Sequence, residues 1–556
     1  MATKIAFVTY ETPFAPAGGI AAVMGRLPAF MKKASSLETI VLTPFHHKIA
    51  RTNALKIEDA GQVVVTYRNE PLDIRLKRYQ TDVSWFFLQP QDTRFFSGAP
   101  HPYLVGTTQE QISENLLRDS FVFGTGVVES LKQLDVNADW VLFLQDWEAA
   151  TTALAFSKSQ PSWRLFLTLH NSYDSPVTDA DLSRHGISAG GCPGVTVLNR
   201  AIPLIEHTIF TVSDQFANDL TQDDFQSKVM ADHLQDLLRP RLLGVNNGPF
   251  VDLAVAPDAL ASAKRGDFHL LTEWKTANRQ KAIAALNALT PSPDQPIWGD
   301  LTKFRQDASA CWFVMAGRDD TRQKGYDVAA AGIRSFLETG KDAQFFFFPI
   351  PGDEGLAGLN FLKKLADEFR EHVLIFPFIW REGFFATLQG ASFGLMPSLY
   401  EPFGMANEFY LNGTIGIGRA TGGIVQQIVP VQSVSCFSHA AQTCALRWHS
   451  SSAHPTGMLF HESNNIKSSV NDWRIINAAD YRIGGESPDR VEQRNRYALF
   501  HSMSDELRIS LEDAVDLFKN ESEQYYSMLT EGIAHIQRSF SWQRAAHEYL
   551  RTLATT

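Results

Sequence analysis

Short, continuous apolar runs recur along the first half of the chain, and segments with helical spacing of apolar residues lie between them. The runs are KIAFVTY (4–10), ETIVLTP (38–44), WVLFLQD (140–146), WRLFLTLHN (163–171) and HTIFTVSD (207–214). Runs without polar alternation are typical of strands that are buried on both faces of a sheet. The alternation of strand and helix therefore predicts a parallel, doubly wound α/β sheet.

The same pattern restarts after the turn-rich stretch GVNNGPFVDL (244–253), which we interpret as a hinge. The later runs are CWFVMAGR (311–318), AQFFFFPI (343–350), HVLIFPFI (372–379), FGLMPS (393–398) and TIGIGRA (414–420). They predict a second sheet of the same kind. Two other regions differ from this pattern: residues 64–90 alternate as a β-hairpin does, and 427–528 reads as an irregular, elaborated region.

The length of the chain agrees with two large domains, because 556 residues exceed what one hydrophobic core usually supports. We predict an N-terminal domain over 1–248 and a C-terminal domain over 249–530. Open α/β sheets bind ligands at the carboxyl ends of their strands. We therefore expect the two sheets to face each other across a cleft, with the functional residues at strand ends.

The charge balance argues against nucleic acid and anionic membranes as partners, since 50 basic and 61 acidic residues give a net charge of −11. No apolar run approaches the length that spans a bilayer, and the N-terminus lacks the features of a secretion signal. The four cysteines form no CxxC pair and predict reduced thiols. They are Cys192, Cys311, Cys436 and Cys444. We expect a cytoplasmic protein; its oligomeric state stays open.

Two adjacent glycines, Gly18 and Gly19, follow the first predicted strand and open the first predicted helix. Glycines at such a turn let a ligand approach the backbone, and the N-terminus of the helix favours an anion. The alternative is a tight turn without a ligand.

Cations follow the first strand of the second series. Arg318 ends the strand, and Lys324 precedes a helix. Two cations directed into a cleft suit a diphosphate. Arg322 competes for the same role, and solvated loop charges are the alternative.

A carboxylate and further glycines follow the next two strands. Glu401 precedes a Pro-Phe-Gly turn and a helix, so the amides of Gly404, Met405 and Ala406 are candidates for binding an anion. The sequence Thr421-Gly422-Gly423 then repeats the strand, loop and helix arrangement.

In chain order the motifs are PF(x)nGGI, DWxA, a strand ending in HN, VSxxxA, NNG, GRxxxRxKG, EPFG, RATGG and SWxRAAxEYL. This series, from Lys4 to Leu550, resembles the glycogen and starch synthases. The resemblance implies a GT-B fold, in which two Rossmann-like domains face across a cleft. It also implies that a final helix, within 531–556, crosses back to the N-terminal domain.

The resemblance assigns roles by position. It implies that His170 and Asp146 lie near the transferred sugar and that Glu401 is the active-site glutamate. It places these residues near the phosphates of the donor: Gly18, Gly19, Arg318, Lys324, Thr421, Gly422 and Gly423. Trp380 is a candidate for stacking on the nucleobase, and ordinary packing is the alternative.

The implied activity is retaining transfer of a glucosyl-like unit from a nucleoside diphosphate sugar, UDP- or ADP-glucose, to a carbohydrate acceptor, most simply an α-glucan. No metal or other cofactor is implied. A small-molecule acceptor is an alternative, as is a glucan-binding protein that has lost catalysis. A nucleotide-sugar epimerase or a sugar phosphorylase on the same fold is a further rival.

The chain departs from the family pattern at three positions. Pro16 stands where relatives carry a lysine, Glu148 changes the DWHA motif to DWEA, and Glu408 lies where an apolar residue is usual. Asp179-Ala180-Asp181 has the DxD form of some metal-dependent glycosyltransferases. It lies in a polar segment without a preceding strand, which favours a surface loop.

Overall fold

The chain divides into two compact units, one formed by residues 1–250 with 541–556 and the other by residues 251–540. We predicted the boundary between the large domains at 248/249, and a separate final helical segment from 531. The computed structural model describes residues 2–50, 55–99, 101–156, 163–188, 194–205, 207–304, 310–352, 355–432, 439–463, 466, 469–478 and 488–555.

The first unit is built on a mostly parallel sheet with β1 near its centre. Its described strands are β1 (Thr3–Val8), β2 (Thr39–Pro44), β3 (Glu58–Tyr67), β4 (Glu70–Gln80), β5 (Ser84–Pro90), β6 (Asp139–Gln145), β7 (Arg164–Leu169), β8 (Ile209–Thr211) and β9 (Leu242–Gly244). Their order across the sheet is β3-β4-β5-β2-β1-β6-β7-β8-β9. The predicted hairpin is the antiparallel pair β3–β4, which continues into β5.

The strand order reverses at β1, because β2 lies on one side of it and β6 on the other, both parallel to it. Ligands of doubly wound sheets bind at such a switch point, beyond the carboxyl ends of the strands. The Gly18 loop follows β1 and Asp146 follows β6, so the topology places both at the switch point of this sheet.

Helices cover the first sheet, and aromatic rings fill the space beneath them. Phe143 stacks between Phe7 and Phe166, with ring centroids 5.3 Å apart in each pair. The described α-helices up to residue 250 are α1 (Gly19–Met24), α2 (Leu27–Ser35), α3 (His47–Ala50), α4 (Gln109–Asp135), α5 (Asp146–Ala155), α6 (Asp179–Arg184), α7 (Val197–Ala201), α8 (Asp214–Gln222) and α9 (Gln235–Leu238).

The second unit has a parallel sheet with its own switch point. Its described strands are β10 (Trp312–Arg318), β11 (Gln344–Ile350), β12 (Val373–Ile375), β13 (Phe393–Met396), β14 (Ile415–Arg419) and β15 (Met458–Phe460). The order is β12-β11-β10-β13-β14-β15. Successive strands are therefore added first on one side of β10 and then, from β13, on its other side, which makes a switch point between β10 and β13. Arg318 ends β10 and Glu401 follows β13, which places both residues at this switch point.

The region predicted as irregular, 427–528, contains long helices. Along α21, Leu499, Met503, Leu507 and Leu511 are buried at four-residue spacing, while polar residues cover the other faces. The described helices of this unit are α10 (Pro257–Ala263), α11 (His269–Ala288), α12 (Leu301–Phe304), α13 (Tyr326–Glu338), α14 (Asn360–Glu368), α15 (Arg381–Gly390), α16 (Ala406–Leu411), α17 (Gly422–Gln427), α18 (His439–Ala445), α19 (Ser469–Ala478), α20 (Pro488–Asn495), α21 (Ala498–Asn520) and α22 (Ser522–Ser539).

The predicted final helical segment is two helices, and they belong to different units. Helix α22 lies in the second unit, whereas α23 (Trp542–Thr555) lies in the first. Tyr549 of α23 packs edge-on against Phe143 of the central strand β6, with ring centroids 5.6 Å apart. The indole nitrogen of Trp542 donates to the carbonyl oxygen of Pro249 at 2.7 Å. The end of the chain is therefore part of the first core.

Candidate active site

The side chain of Glu11 accepts hydrogen bonds from the backbone amides of the Gly18 loop. Oε1 of Glu11 accepts from the backbone nitrogens of Ala17 (3.0 Å), Ala21 (3.2 Å) and Gly18. The hydroxyl of Tyr103 donates to the other oxygen of Glu11 at 3.1 Å. Glu11 is buried, so it fixes the loop from within. Of the two glycine amides that we predicted for a phosphate, that of Gly18 therefore already has a partner within the chain.

Gly19 is the open part of this loop. A Cβ atom placed on Gly19 would meet no atom within 4 Å, which contrasts with most glycines in the chain. Gly19 and Pro16 are both exposed. Room for a ligand therefore exists at Gly19, but the residue that would carry a cation beside it is a proline.

Asp146 organises the ends of the strands β6 and β7. Its backbone is left-handed, with a φ of +59°, a conformation that is costly for a residue other than glycine. One carboxylate oxygen accepts from the backbone nitrogen of His170 at 2.6 Å, and the other accepts from Nδ2 of Asn171 at 2.9 Å. These bonds hold His170 in place. The structure thus brings together the two residues predicted for the sugar side.

Burial controls the charge of both groups. It raises the pKa of Asp146 to about 8, against the hydrogen bonds from His170 and Asn171, which lower the pKa. Burial also lowers the pKa of His170 to about 3, so its ring is neutral near pH 7. Nε2 of His170 lies 2.8 Å from the acceptor Oε1 of Gln145 and carries the proton of that bond. Nδ1 is then an acceptor.

Glu148 adds a further acidic group where the family pattern has a histidine. Its side chain is buried, and burial, with a smaller contribution from Asp146, raises its pKa well above the usual value. Glu11 also contributes to the raised pKa values of Asp146 and Glu148. The switch point of the first sheet is therefore rich in carboxyl groups.

The second unit brings Lys324 and Glu401 into direct contact. Nζ of Lys324 lies 2.7 Å from Oε2 of Glu401, which also accepts from the hydroxyl of Ser398 at 3.0 Å. Nε2 of Gln323 is 3.4 Å from the other oxygen of Glu401. The side chain of Arg318, at the end of β10, is exposed. Three of the predicted residues thus share the switch point of this sheet.

The Thr421 loop packs tightly against the Glu401 loop. A Cβ atom on Gly422 would lie 1.6 Å from the carbonyl oxygen of Glu401, and one on Gly423 would lie 2.1 Å from that of Phe403. The nitrogen of Gly423 donates to the carbonyl oxygen of Glu401 at 3.1 Å. Both glycines are therefore required by the approach of two backbones, independently of any ligand.

The turn into α16 lies beside the same carboxylate. Gly404 has a φ of +90°, and Met405 precedes α16, which begins at Ala406. The next amide, that of Asn407, donates to the side chain of Gln427 at 2.7 Å. Burial raises the pKa of Glu408 to about 7, and the charges of Lys324 and Glu401 also act on this group. The departure at Glu408 therefore adds a second carboxyl group beside Lys324.

Trp380 packs against its own helix. Its ring lies 5.0 Å from the ring of Phe376, and a Cβ atom on Gly383 would lie 2.2 Å from the indole. Stacking on a nucleobase stays a prediction.

The remaining candidates for metal or thiol chemistry have structural roles. Asp181 forms a capping box with Thr178, and Asp179 pairs with Arg200 at 2.6 Å. No group of His, Cys, Asp and Glu side chains among the described residues could hold a metal ion. Burial raises the pKa of the Cys311 thiol to about 12. Two other cysteines, Cys192 and Cys436, lie outside the described residues.

Reasoning from sequence missed the residues that support the site. Glu11 lies near the carboxyl end of β1, a position that could have marked it. Ser398 and Gln323 lie close in sequence to Glu401 and Lys324, and no sequence motif marked them as functional. The partner of Glu11, Tyr103, is distant in sequence, so only the fold reveals it.

As for membranes, none of the helices in the described ranges is long and apolar enough to cross one.

The chain is similar to proteins that make storage glucans. The family model of the starch synthase catalytic domain matches residues 4–239. A glycogen synthase of Thermosipho africanus is 27% identical over 467 residues, which cover 77% of this chain and 85% of that protein. A glycogen synthase of Kosmotoga olearia is 26% identical over 442 residues, covering 76% of this chain and 82% of that protein.

The fold agrees with these matches. The catalytic domain of starch synthase IV from Arabidopsis thaliana, solved bound to ADP and acarbose, superposes with a TM-score of 0.69. The superposition covers 100% of this chain and 99% of that domain, at 16% sequence identity. The predicted resemblance and the predicted fold are confirmed. The chain is a glycosyltransferase of the GT-B fold that is similar to the glycogen and starch synthases.

Proposed function

We propose that the chain transfers a glucosyl unit from a nucleoside diphosphate glucose to an α-glucan with retention of anomeric configuration. The observation that carries the proposal is the Lys324–Glu401 pair beside Arg318 at the switch point of the second sheet. The names of the similar glycogen synthases support the acceptor class. The ADP bound to starch synthase IV favours ADP-glucose as the first donor to test, followed by UDP-glucose.

In the proposed reaction, the acceptor hydroxyl attacks the anomeric carbon from the side on which the diphosphate leaves. The new bond forms between the acceptor oxygen and the anomeric carbon, while the bond from that carbon to the diphosphate oxygen breaks. The departing diphosphate takes the electron pair and receives the proton of the acceptor hydroxyl. Arg318 and Lys324 stabilise the charge that develops on the diphosphate, the kind of interaction that usually contributes most to catalysis.

The carboxylates position these groups. Glu401 holds Lys324 at 2.7 Å and is itself oriented by Ser398. Its remaining acceptor capacity suits hydroxyl groups of the sugar. In the first unit, Asp146 fixes the backbone of His170, whose neutral ring is suited to hydrogen bonds with a sugar. The two side-chain cations supply the positive charge at the diphosphate in this proposal, without a metal ion.

The experiment measures release of nucleoside diphosphate from ADP-, UDP- and GDP-glucose, with and without glycogen or small oligosaccharides. Glucan-dependent release is expected with one of these donors. Lys324→Ala and Glu401→Gln should each lower the rate by roughly 10²-fold or more, because each disrupts the group that faces the leaving charge. Lys363→Ala is the matched control, since Lys363 forms an exposed pair with Asp367 on α14, away from the cation pair.

Near wild-type rates in the Lys324 and Glu401 variants would overturn these assignments. Release that does not depend on any acceptor would instead favour epimerisation or hydrolysis. Thermal unfolding of each variant serves to separate loss of chemistry from loss of structure.

A further inference from the structure

One buried arginine connects the elaborated region to the loop that carries the two cations. Arg494, on α20, is completely buried. Its Nε lies 2.9 Å from Oδ2 of Asp327, a residue that is also buried. Its two terminal nitrogens donate to the carbonyl oxygens of Thr321 (2.8 Å) and Ile476 (3.2 Å). A single guanidinium therefore joins α19, α20, the loop and α13.

Arg494 contacts the loop between Arg318 and Lys324, called the cation loop below, and also the helix that follows it. Thr321 lies midway between Arg318 and Lys324, and Asp327 lies in the first turn of α13, just after the loop. Lys324 is thus bracketed by the two points that Arg494 holds.

Backbone hydrogen bonds also join the loop to the end of β11 and to the segment after β13. The nitrogen of Leu399, close to Glu401, donates to the carbonyl oxygen of Gln323 at 2.7 Å. The nitrogen of Asp319 donates to the carbonyl oxygen of Ile350 at 2.9 Å. Arg494 therefore adds side-chain contacts to a loop that these backbone bonds also hold.

The energetics favour a role in geometry over one in stability. The attraction within a buried ion pair often does not exceed the cost of removing both charges from water, so such a pair is weak evidence for a role in stability. The rigid fork of a guanidinium, however, fixes the relative positions of the groups that it binds. A lysine would keep the charge but could not span the carboxylate and two carbonyl oxygens in the same way.

The same region also contacts the end of β14, at Arg419. Nε of Arg419 lies 2.7 Å from Oε2 of Glu462, and its guanidinium lies 5.2 Å from the ring of Trp473. Another nitrogen of Arg419 donates to the carbonyl oxygen of Leu399 at 2.8 Å. Glu462 and Trp473, in the elaborated region, thus contact an arginine that also bonds to the segment between β13 and Glu401.

We propose that Arg494 is a positioning residue, which holds the loop between Arg318 and Lys324 in the geometry needed for the donor's diphosphate. The proposal rests on the proposed function for the identity of the ligand. Misplacement of a catalytic group by about 1 Å costs on the order of 10²-fold in rate. We therefore expect Arg494→Gln to raise the KM for the sugar nucleotide and lower kcat, with a combined loss of roughly 10- to 100-fold. Arg494→Lys should lose less.

The matched control is Arg279→Gln. Arg279 is another buried arginine of the second unit, and it donates to Gly390 (2.9 Å), Ala310 (2.8 Å) and Ser392 (2.7 Å), none of which belongs to the cation loop. It should lower the thermal midpoint without a specific change in the KM for the donor. If Arg494→Gln changes only the thermal midpoint, as this control does, the proposal fails.

Hydrogen exchange gives a readout that does not depend on activity. The amides of Gln323 and Lys324 donate to the carbonyl oxygen of Asp320 and should exchange faster in Arg494→Gln but not in Arg279→Gln. If Arg494→Gln does not fold, Asp327→Asn weakens the same contact and should show the same exchange. Faster exchange in a chain whose wild type transfers no glucose would refute the proposed function and retain the positioning role. Unchanged exchange would refute the positioning role.

Discussion

The two switch points carry different titratable groups. The first sheet presents Glu11, Asp146 and Glu148, whereas the second presents Arg318 and Lys324. Burial raises the pKa values of Asp146 and Glu148, which favours their neutral forms. Neutral carboxyl groups do not attract a diphosphate, whereas the two cations of the second unit do. The proline that replaces a lysine agrees with this division. In the proposed function, the two cations of the second unit are therefore the main partners of the donor's diphosphate.

The role of Glu11 gives a prediction at the scale of one residue. Glu11→Ala removes the acceptor of three backbone amides and of the Tyr103 hydroxyl, and each buried group left unpaired costs about 1–3 kcal/mol. The amides of Ala17, Gly18 and Ala21 should exchange hydrogen faster than in the wild type, as measured by mass spectrometry or NMR.

The control for this change is Glu38→Ala, in the same unit. The side chain of Glu38 is 58% exposed and pairs with Lys4, so its loss should leave the exchange of the Gly18 loop unaltered. Wild-type exchange of the loop amides in Glu11→Ala would show that Glu11 does not hold the loop.

At the scale of loops and helices, the glycine pairs serve different purposes. Gly18 and Gly19 open α1 toward solvent, whereas Gly422 and Gly423 allow two loops to approach each other. The sequence predicted phosphate contact for both pairs, because it presents the same strand, glycine and helix pattern in each. Only the tertiary packing separates them.

Alanine substitutions should separate the two cases. Gly422→Ala places a Cβ atom at 1.6 Å from the carbonyl oxygen of Glu401, at a φ of +49°, so the thermal midpoint and the transfer rate should both fall. Gly19→Ala meets no atom and should keep the thermal midpoint, while the KM for the donor rises if the donor approaches there. The readouts are thermal unfolding and donor kinetics; wild-type behaviour of Gly422→Ala would contradict the packing account.

The elements that the sequence predicted best are the buried strands. Runs such as WVLFLQD and CWFVMAGR coincide with β6 and β10, because a strand covered on both faces must be apolar throughout. Helix α21 was missed, since its four-residue spacing of buried side chains is interrupted by many charged residues. The contact of α21 with α13, where Gly332 allows the Ser504 carbonyl to approach, depends on tertiary structure alone.

At the scale of the whole molecule, the order of motifs predicted the resemblance to glycogen and starch synthases and the GT-B fold, and the comparisons confirm both. The predicted sugar-side pair and the Lys324–Glu401 pair each come together, because their loops follow neighbouring strands. The supporting residues could not be predicted in this way. Glu11 and Tyr103 are 92 positions apart, and Arg494 reaches Thr321 across 173 positions.

The most direct test of the central claim follows labelled glucose from the donor into a defined linkage. The full-length chain is incubated with glycogen and ADP- or UDP-glucose labelled in the sugar, and the purified glucan is then digested with an enzyme specific for α-glucosidic bonds. We predict that label enters the glucan and that the digestion releases it, since retention converts an α-linked donor into an α-linked product. Absence of label with both donors, or label that resists the α-specific enzyme, would contradict the account.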